Sequence, residues 1–474
     1  MSPHRSLQRT LLAPVQLTLF ALLALGIACS GGGGGSGGSS GGTTGSVGVL
    51  LTDGPVDPSQ FSHIYVTVTE ITLIASDGGQ VTIFNGSEVF DLRDLTDAST
   101  LVTVGQDVPA GTYEKIRLEV SKIELVPADG SSSIFPKLPP KIDLNPRGTF
   151  EVRPGELLLV QLDMDAGKSI HVVGKGNGGF NFRPVIFCDI LTKALPGKLV
   201  LLNGKVQTLA TSGFQLCDTH AVSRPLGATR TTETAGSGST TDRCVDVSAN
   251  SQTSFFDESG DPAALGAVMV NDTAWVLGRF VRNGEQLDFA AEVVELGDHV
   301  LAVDGTVASE IGTDDRFDLE LDPGQGIVAP NNTLPILLQQ GTKLFRRSTG
   351  QEIMKADLQV DDPARAVGVL ALSNTSDDEL KAAFVVIDDA AMSLERIEGT
   401  ITSVANGGAN LQVQTSTGSQ CVDVPSTARV FEVSQDNSSA DDIDRSALMV
   451  NDVVNIFGTP GTSCFQADTV IVFE

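Results

Sequence analysis

Short segments rich in Val, Ile, Thr and Leu recur along this chain, and Gly, Asp, Asn and Pro separate them. Apolar residues in these segments alternate with polar ones, which is the period of a strand with one buried face. The three-four spacing of an amphipathic helix is almost absent. The pattern therefore predicts an all-β protein, and roughly 430 residues of such sequence exceed one sandwich or small barrel, so several domains are expected.

Two of these segments change phase partway along. In His63–Leu73 the apolar residues occupy positions 64, 66 and 68 and then 71 and 73. The segment Ile116–Leu125 makes the same change, from 116, 118 and 120 to 123 and 125. Because a one-residue slip would turn the apolar side chains toward water, we predict β-bulges near 69–70 and 121–122. Matching bulges further indicate that the two strands are neighbours.

The N-terminus has the composition of an export signal followed by a flexible segment. Arg5 and Arg9 precede an apolar decamer, Leu19–Ala28, and Cys29 follows it directly. Ser30–Ser46 consists only of Gly, Ser and Thr, so it should behave as a random coil with a reach of roughly 20 to 25 Å. An apolar run of ten residues is about half of what a membrane-spanning helix needs.

This order of features resembles a bacterial lipoprotein signal, although Gly26 stands where that family usually has Leu. The resemblance implies cleavage before Cys29, lipidation of its sulfur and amine, and membrane attachment through the lipid. Ser30 after the cysteine is typical of lipoproteins sorted to the outer membrane. The alternative is an ordinary secretory signal that is cut near Ala28 and leaves Cys29 as a free thiol.

Charge limits the classes of partner. Lys and Arg total 31 against 59 Asp and Glu, a formal net charge of -28, and no basic stripe with interleaved aromatic residues is present. Such a charge opposes binding to nucleic acid and to anionic lipid head groups. We therefore expect no nucleic-acid partner.

Four motifs in order characterise the first domain. They are V-x-L-T-D-x-P ending at Pro55, Y-V-T-V-T-E-I from Tyr65, P-A-G-T-Y-x-x-I-R-L from Pro109, and D-x-D-x-G-K-S-I from Asp163 followed by R-P-V-I from Arg183. These motifs resemble the domain of unknown function 4382, which heads many exported bacterial lipoproteins. The resemblance implies a sandwich of the transthyretin or carboxypeptidase-regulatory kind and no assigned activity.

The remainder of the chain contains a weak threefold repeat. The copies open with G-x-V or G-x-I at Gly204, Gly305 and Gly399, have a central V-x-D followed six residues later by Gly, and end with A-x-x-V. The pattern is similar to the small β-barrel repeats of the domain of unknown function 5666. In the first copy, a Ser/Thr/Gly-rich insertion at roughly 219–242 has the composition of a loop.

The chain has six cysteines, and none forms a C-x-x-C metal or redox motif. An exported protein can keep disulfides, and two pairs each fall within one repeat, so we predict Cys217–Cys244 and Cys421–Cys464. Cys188 is left over and reads as a buried small hydrophobe.

Signatures of catalysis and of zinc binding are missing from the sequence, which has five scattered histidines and no H-E-x-x-H or G-x-S-x-G motif. Acidic loops are the better candidates, because extracellular modules hold calcium with such loops. Asp53 and Asp57 flank a Gly-Pro turn, and Asp163 and Asp165 precede Gly167. We name these four aspartates as candidate calcium ligands and expect no other cofactor; solvated surface is the competing explanation at each loop.

Together these features predict a signal peptide at 1–28, a lipidated tether at 29–46, a β-sandwich at 47–193, and barrel repeats at 194–298, 299–391 and 392–474. We expect a non-catalytic, lipid-anchored protein of the outer membrane, on its periplasmic or external face. Its role would be binding, adhesion or structure, toward an unidentified ligand or protein. The alternatives are a carboxylate-based hydrolase with two carboxylates of separated acidity in one cleft, and a calcium-stabilised adhesin.

Overall fold

The described part of the protein consists mainly of strands, as the sequence predicts, with one helical turn and a few 3₁₀ turns. The computed structural model describes residues 43–53, 60–137, 139, 141–146, 148–172, 180–182, 186–191, 199–220, 244–283, 286–325, 327, 329–371, 378–389, 395–434 and 439–473. Within those residues, no helix has the length and apolar character needed to cross a membrane. The signal, Cys29, most of the tether and Asp57 lie outside the described part of the chain.

The first module, residues 43–191, is a β-sandwich, and we call it the sandwich. Its strands are β1 Thr44–Thr52, β2 Phe61–Ala75, β3 Gln80–Asp91, β4 Ala98–Pro109, β5 Gly111–Pro127, β6 Lys141–Asn145, β7 Phe150–Val152, β8 Leu157–Met164, β9 Ile170–Val172, β10 Phe180–Phe182 and β11 Ile186–Leu191, with the single helical turn α1 Ala166–Ser169. One sheet has the order β11-β8-β1-β4 and the other β6-β5-β2-β3, with β7 also paired to β5. Alternate side chains from both sheets form one shared apolar core.

The two predicted bulges are present and lie in neighbouring strands. The register of β2 against β5 shifts between Val68 and Glu70, so Thr69 is the extra residue. On β5, Lys122 and Val120 pair with adjacent residues of β2, which leaves Ser121 as the extra one. Each bulge absorbs one residue and keeps the apolar side chains on the buried face.

Three further modules follow, which we call barrel 1 (199–296), barrel 2 (300–389) and barrel 3 (395–473). Barrel 1 has β12 Leu199–Ala210, β13 Gly213–His220, β14 Val245–Ser248, β15 Ser254–Phe256, β16 Pro262–Ala263, β17 Thr273–Asn283 and β18 Gln286–Leu296. Barrel 2 has β19 Val300–Val307, β20 Arg316–Leu321, β21 Thr333–Arg346, β22 Glu352–Ile353, β23 Pro363–Ala371 and β24 Glu379–Ile387. Barrel 3 has β25 Glu395–Ala405, β26 Asn410–Thr415, β27 Gly418–Asp423, β28 Arg429–Val433, β29 Ser439–Asp442, β30 Val453–Thr459 and β31 Phe465–Phe473.

All three barrels close in the same way. In barrel 1, β12 pairs with β13, β13 with β14, β14 in parallel with β18, β18 with β17, and β17 with β12 again. The equivalent circuits are β19-β20-β21-β24-β23 in barrel 2 and β25-β26-β27-β31-β30 in barrel 3. Each barrel has an apolar core, and the core of barrel 1 also includes Leu50, Leu101, Val104 and Leu159 of the sandwich.

The repeated glycines lie where two backbones approach too closely for a side chain. A Cβ on Gly204, Gly305 or Gly399 would come within 2.4 Å of a carbonyl oxygen on the neighbouring strand. A Cβ on the later repeat glycine, Gly278, Gly368 or Gly458, would come within 2.3 Å of one. The last strand of each barrel, β18, β24 or β31, pairs an alanine of its A-x-x-V motif with this later glycine. Directly after that alanine, the pairing register shifts by one residue. The repeat signature therefore encodes the corners of a closed barrel.

The central V-x-D motif has a structural role too. In each barrel its aspartate accepts the backbone N–H three residues earlier, at 2.7 Å for Asp272 and 2.8 Å for Asp362 and Asp452. The residue before that aspartate has a positive φ in all three barrels, such as 75° at Asn271. The motif fixes a tight turn before β17 in barrel 1, β23 in barrel 2 and β30 in barrel 3.

Barrels 1 and 3 continue the two sheets of the sandwich. Strand β12 pairs in parallel with β4, with Leu199 opposite Ala98, and β29 pairs in parallel with β6, with Ser439 opposite Asp143. Among the described residues, no strand of barrel 2 pairs with a strand of another module. Barrel 2 is therefore held by side-chain contacts.

Both predicted disulfides are present, Cys217–Cys244 in barrel 1 and Cys421–Cys464 in barrel 3. Cys188 is a buried free thiol in the sandwich core, and burial raises its pKa far above the ordinary value. It packs as a hydrophobe, as expected.

Candidate functional site

A charged turn on the sandwich faces barrel 2. The turn is the 3₁₀ segment Leu92–Leu95, and its two leucines anchor it in the sandwich core. Asp91 caps the turn by accepting the backbone N–H of Arg93 at 3.2 Å. The buried ends thus hold the charged side chains of Arg93, Asp94 and Asp97 against the neighbouring module.

Arg365, on β23 of barrel 2, binds acids of both modules. Its Nε and Nη2 donate to the two carboxylate oxygens of Asp304 at 2.9 and 3.0 Å. Its Nη1 donates to the carbonyl oxygen of Asp94 at 2.7 Å, and its Nη2 also binds the Asp94 carboxylate. The Nε lies 3.6 Å from Asp97. One buried guanidinium therefore joins the turn of the sandwich to the first strand of barrel 2.

Two more arginines cross the same interface. Arg93 of the sandwich donates to Asp322 at 3.1 Å, and Arg347 of barrel 2 donates to the carbonyl oxygen of Thr96 at 2.7 Å and to Asp388 at 2.6 Å. We call the whole set the aspartate–arginine cluster: His63, Asp91, Arg93, Asp94 and Asp97 of the sandwich with Asp304, Asp322, Arg347, Arg365 and Asp388 of barrel 2.

His63 contacts an acceptor with each ring nitrogen. Its Nδ1 lies 2.6 Å from Asp91 Oδ2, and its Nε2 lies 3.3 Å from the carbonyl oxygen of Gly324 in barrel 2. A carboxylate and a carbonyl can only accept, so both bonds require the doubly protonated imidazolium. Burial alone would lower the pKa of His63, but Asp91 outweighs it and raises the pKa above 6.5.

The cluster contains more acid than base, with six aspartates against three arginines and one histidine. Burial raises the pKa of Asp94 to about 6, although Arg365 opposes the shift. Burial also raises the pKa of Asp97 against Arg365 and Arg347, and that of Asp322 with the help of Asp304. These carboxyl groups bind protons more tightly in the folded protein than in water.

Barrel 2 contacts barrel 1 through a second, apolar interface. Leu277 and Val293 of barrel 1 pack there against barrel 2 side chains that include Val367 and Phe384. Glu295 follows Val293 by two residues on β18, so it lies on the same face of that strand. It is 1% exposed, and neither carboxylate oxygen has a hydrogen-bond partner among the described residues. Burial raises its pKa to about 8.

Barrel 3 meets the sandwich through aromatic and cationic side chains. Arg429 forms a bidentate pair with Asp189 at 3.1 and 3.2 Å and lies 4.4 Å from the ring centre of Phe187. Lys168 of the sandwich lies over Phe187 and over Phe457 of barrel 3, at 5.5 and 5.6 Å. These contacts stabilise the interface through cation–π attraction in addition to apolar burial.

Three of the four candidate calcium ligands lie in the described part of the chain. Asp53 follows β1 and accepts the N–H of Ala166 at 2.8 Å, and Asp163 lies in β8 opposite Thr52. Asp165 accepts the N–H of Lys168 at 2.8 Å and binds the ammonium of the same lysine. Among the residues described, no group of three or more His, Cys, Asp or Glu is placed to hold a metal ion. The calcium assignment stays a prediction, and the Lys168 ammonium at Asp165 disfavours it.

The fold and these interfaces define a class: a multi-module all-β protein in which a sandwich carries three closed five-stranded barrels. Residues 44–184, which are the sandwich, match the family model described as Domain of unknown function (DUF4382). The match confirms the resemblance inferred for the first domain. A crystal structure of a multidomain protein with nucleic acid binding domains from Streptococcus pneumoniae TIGR4 is similar at 8% identity, over 59% of this chain and 73% of that one, with a TM-score of 0.12. No curated protein matches the chain.

Sequence reasoning missed both interfaces of barrel 2. The run Asp91–Asp97 contains three aspartates and an arginine, which alone reads as a solvated turn. Glu295 gives a clearer sequence signal than the run Asp91–Asp97. It lies on the same strand face as Val293, and an acid on the buried face of a strand is unusual.

Proposed function

We propose that this chain is a non-catalytic, lipid-anchored protein of the bacterial outer membrane with a binding or structural role. Its sandwich and three barrels form one folded unit, which we call the head. The observation that carries the proposal is the continuity of the head. Sandwich sheets continue into barrels 1 and 3, and buried ion pairs fix barrel 2. Because the described residues form one compact unit, such a head would present fixed surfaces rather than independently moving domains.

The positions of the perturbed acids favour a non-catalytic role over a hydrolase. A carboxylate hydrolase needs two carboxyl groups of different acidity facing a substrate. Asp94 and Glu295 have raised pKa values, but Asp94 is bound to Arg365, and Glu295 is buried without a hydrogen-bond partner among the described residues. Their environments are those of module interfaces.

The position of β1 supports anchoring through the N-terminus. Thr44 begins β1, which lies in the interior of its sheet between β8 and β4. A tether that leads from Cys29 into an interior strand would transmit the lipid attachment directly to the sandwich. With a reach of roughly 20 to 25 Å, it would keep the head close to the lipid surface.

The test is lipid attachment and exposure in bacterial cells. Metabolic labelling with a fatty acid should mark the wild-type protein, which should enter the detergent phase on phase separation. The Cys29→Ser variant should take up no label and remain in the aqueous phase. Protease treatment of intact cells would then distinguish an external head, which is digested, from a periplasmic one, which is protected. An unlabelled wild-type protein in the aqueous phase would refute the proposal.

A further inference from the structure

Within the described residues, barrel 2 is the one module attached to the others by side-chain contacts and not by strand pairing. Both of its interfaces contain groups that bind protons unusually well. One interface is the aspartate–arginine cluster on the sandwich, and the other is the apolar contact with barrel 1 around Glu295. We propose that barrel 2 docks as a proton-dependent module, held against the sandwich and barrel 1 at acid and neutral pH and released at alkaline pH.

The barrel 1 interface supplies the larger effect. Glu295 lies directly across from Trp275 on β17 and beside Phe256 on β15. The Nε1 of Trp275 also has no hydrogen-bond partner among the described residues. Charged groups of this interface form pairs of their own: Lys343 of barrel 2 binds Glu292 of barrel 1 at 2.8 Å. No described residue here forms a pair with Glu295, so below its folded pKa of about 8 it is neutral while barrel 2 is docked.

Two other charged groups at the interface of barrels 1 and 2 also have partners of their own. Arg279 lies 3.9 Å from Glu292 and also donates to the carbonyl oxygen of Gly350 in barrel 2. Lys381 of barrel 2 donates to Asp261 of barrel 1 at 2.6 Å. These contacts link the two barrels without involving Glu295. If barrel 2 moved away, this face of β18 would meet water and Glu295 would ionise with an ordinary pKa.

The sandwich interface responds to pH in the same direction. The groups that face His63 are Asp91, Asp94, the ring of Tyr65 at 5.3 Å, and the Gly324 carbonyl of barrel 2. Because Nδ1–H is held by Asp91, the simultaneous bond from Nε2 to Gly324 requires the imidazolium, so the pair of bonds is present below the folded pKa and is lost as pH rises through it.

The acids of the cluster add to this effect. Asp94 is faced by Arg365, Asp91 and Asp304, and its folded pKa of about 6 lies above the ordinary 3.8. Its contribution to docking is therefore fully present below pH 3.8 and lost as pH rises through about 6. Asp97 and Asp322 have raised pKa values as well, so their contributions have the same sign. Protons thus favour the docked state at both interfaces.

The only tryptophan of the chain, Trp275, lies in the barrel 1 interface and can report docking. The experiment measures its emission maximum, its quenching by acrylamide and the small-angle scattering radius of the full chain from pH 5.5 to 9.5. In the wild type, quenching and radius should rise together as pH increases toward the folded pKa of Glu295, about 8, because the stabilisation by the neutral acid is lost over that range. In Glu295→Gln, the midpoint should move upward by at least about one pH unit.

His63→Gln should flatten the part of the transition above pH 6.5, because the imidazolium, whose pKa is raised above 6.5 in the folded protein, is gone. The matched control is Glu310→Gln, which removes one exposed carboxylate from the loop after β19 and should behave as the wild type. The proposal is overturned if quenching changes while the radius stays constant, if neither changes, or if Glu295→Gln and Glu310→Gln give the same midpoint. These outcomes do not depend on lipidation of Cys29, so they are separate from the test of the proposed function.

Discussion

Replacing Gly368 with alanine should destabilise barrel 2 because the added methyl has no space. The new Cβ would lie 2.0 Å from the carbonyl oxygen of Lys381 and 2.8 Å from the Cα of Ala382, both on the backbone of β24. Real Cβ contacts are essentially never shorter than 3.0 Å, so β24 must move by about 1 Å. Backbone cannot yield as a flexible side chain does, and β24 is paired on both of its sides.

The expected cost follows from two contributions. Overpacking a rigid site costs about 1 to 3 kcal/mol, and weakening one or two ladder hydrogen bonds adds about 1 kcal/mol each. Alanine recovers about 0.4 to 1 kcal/mol by restricting the unfolded chain. We therefore expect Gly368→Ala to lower the free energy of unfolding of barrel 2 by about 1 to 4.5 kcal/mol.

Urea denaturation followed by hydrogen exchange on peptides from β23 and β24 measures this loss within the full chain. Gly266→Ala is the matched control, since no atom lies within 4 Å of its Cβ position. Gly458→Ala repeats the test in barrel 3, where the Cβ would lie 2.0 Å from the carbonyl oxygen of Gln466. If Gly368→Ala and Gly266→Ala differ by less than about 0.5 kcal/mol, the close-approach explanation of the repeat glycines is wrong.

Four further outcomes are expected. Arg365→Met should cost about 3 to 5 kcal/mol in urea denaturation, because it leaves buried carboxylates without their cation; a loss under about 1 kcal/mol would contradict this. Glu295→Gln should raise the free energy of unfolding by about 3 kcal/mol at pH 7 and by almost nothing at pH 4, since the folded pKa of about 8 exceeds the ordinary 4.5. An equal gain at both pH values would speak against a buried neutral acid. Replacing Cys421 and Cys464 together by serine should cost about 4 kcal/mol for the chain segment that they close, compared with the oxidised wild type, and an unchanged denaturation midpoint would argue against this disulfide. Millimolar calcium and its chelation should leave the melting temperature unchanged, because the ammonium of Lys168 binds the Asp165 carboxylate; a rise with calcium would instead favour the adhesin alternative.

The sequence was informative wherever a rule acts within one strand or one repeat. Phase slips in β2 and β5 required bulges, because a strand buried on one face cannot tolerate a change of phase. The repeated glycines identified equivalent positions in the barrels, and the pairings Cys217–Cys244 and Cys421–Cys464 were predicted because each pair falls within one repeat.

The interfaces between modules could not be predicted in this way. The contact of Asp94 with Arg365 joins residues 271 positions apart, and neither residue has a distinctive neighbourhood in the sequence. A lone charge in a turn is most often solvated, so burial of several at once is visible only when the modules are assembled. The calcium prediction at Asp53 and Asp165 stays untested, and the sequence did not show that Lys168, three residues after Asp165, is the partner of that carboxylate.

Assembly also changes what each module contributes to stability. Strand β4 would be an exposed edge of the isolated sandwich, and so would β6, but β12 and β29 pair with them in parallel. Exposed edges invite aggregation, and here the chain covers two of them with its own later modules. Barrels 1 and 3 thereby become structural parts of the sandwich sheets, whereas barrel 2 adds no strand to those sheets within the described residues. The attachment of barrel 2 therefore depends on side chains, and because we propose that protons favour it, a change of pH should move barrel 2 before it unfolds any sheet.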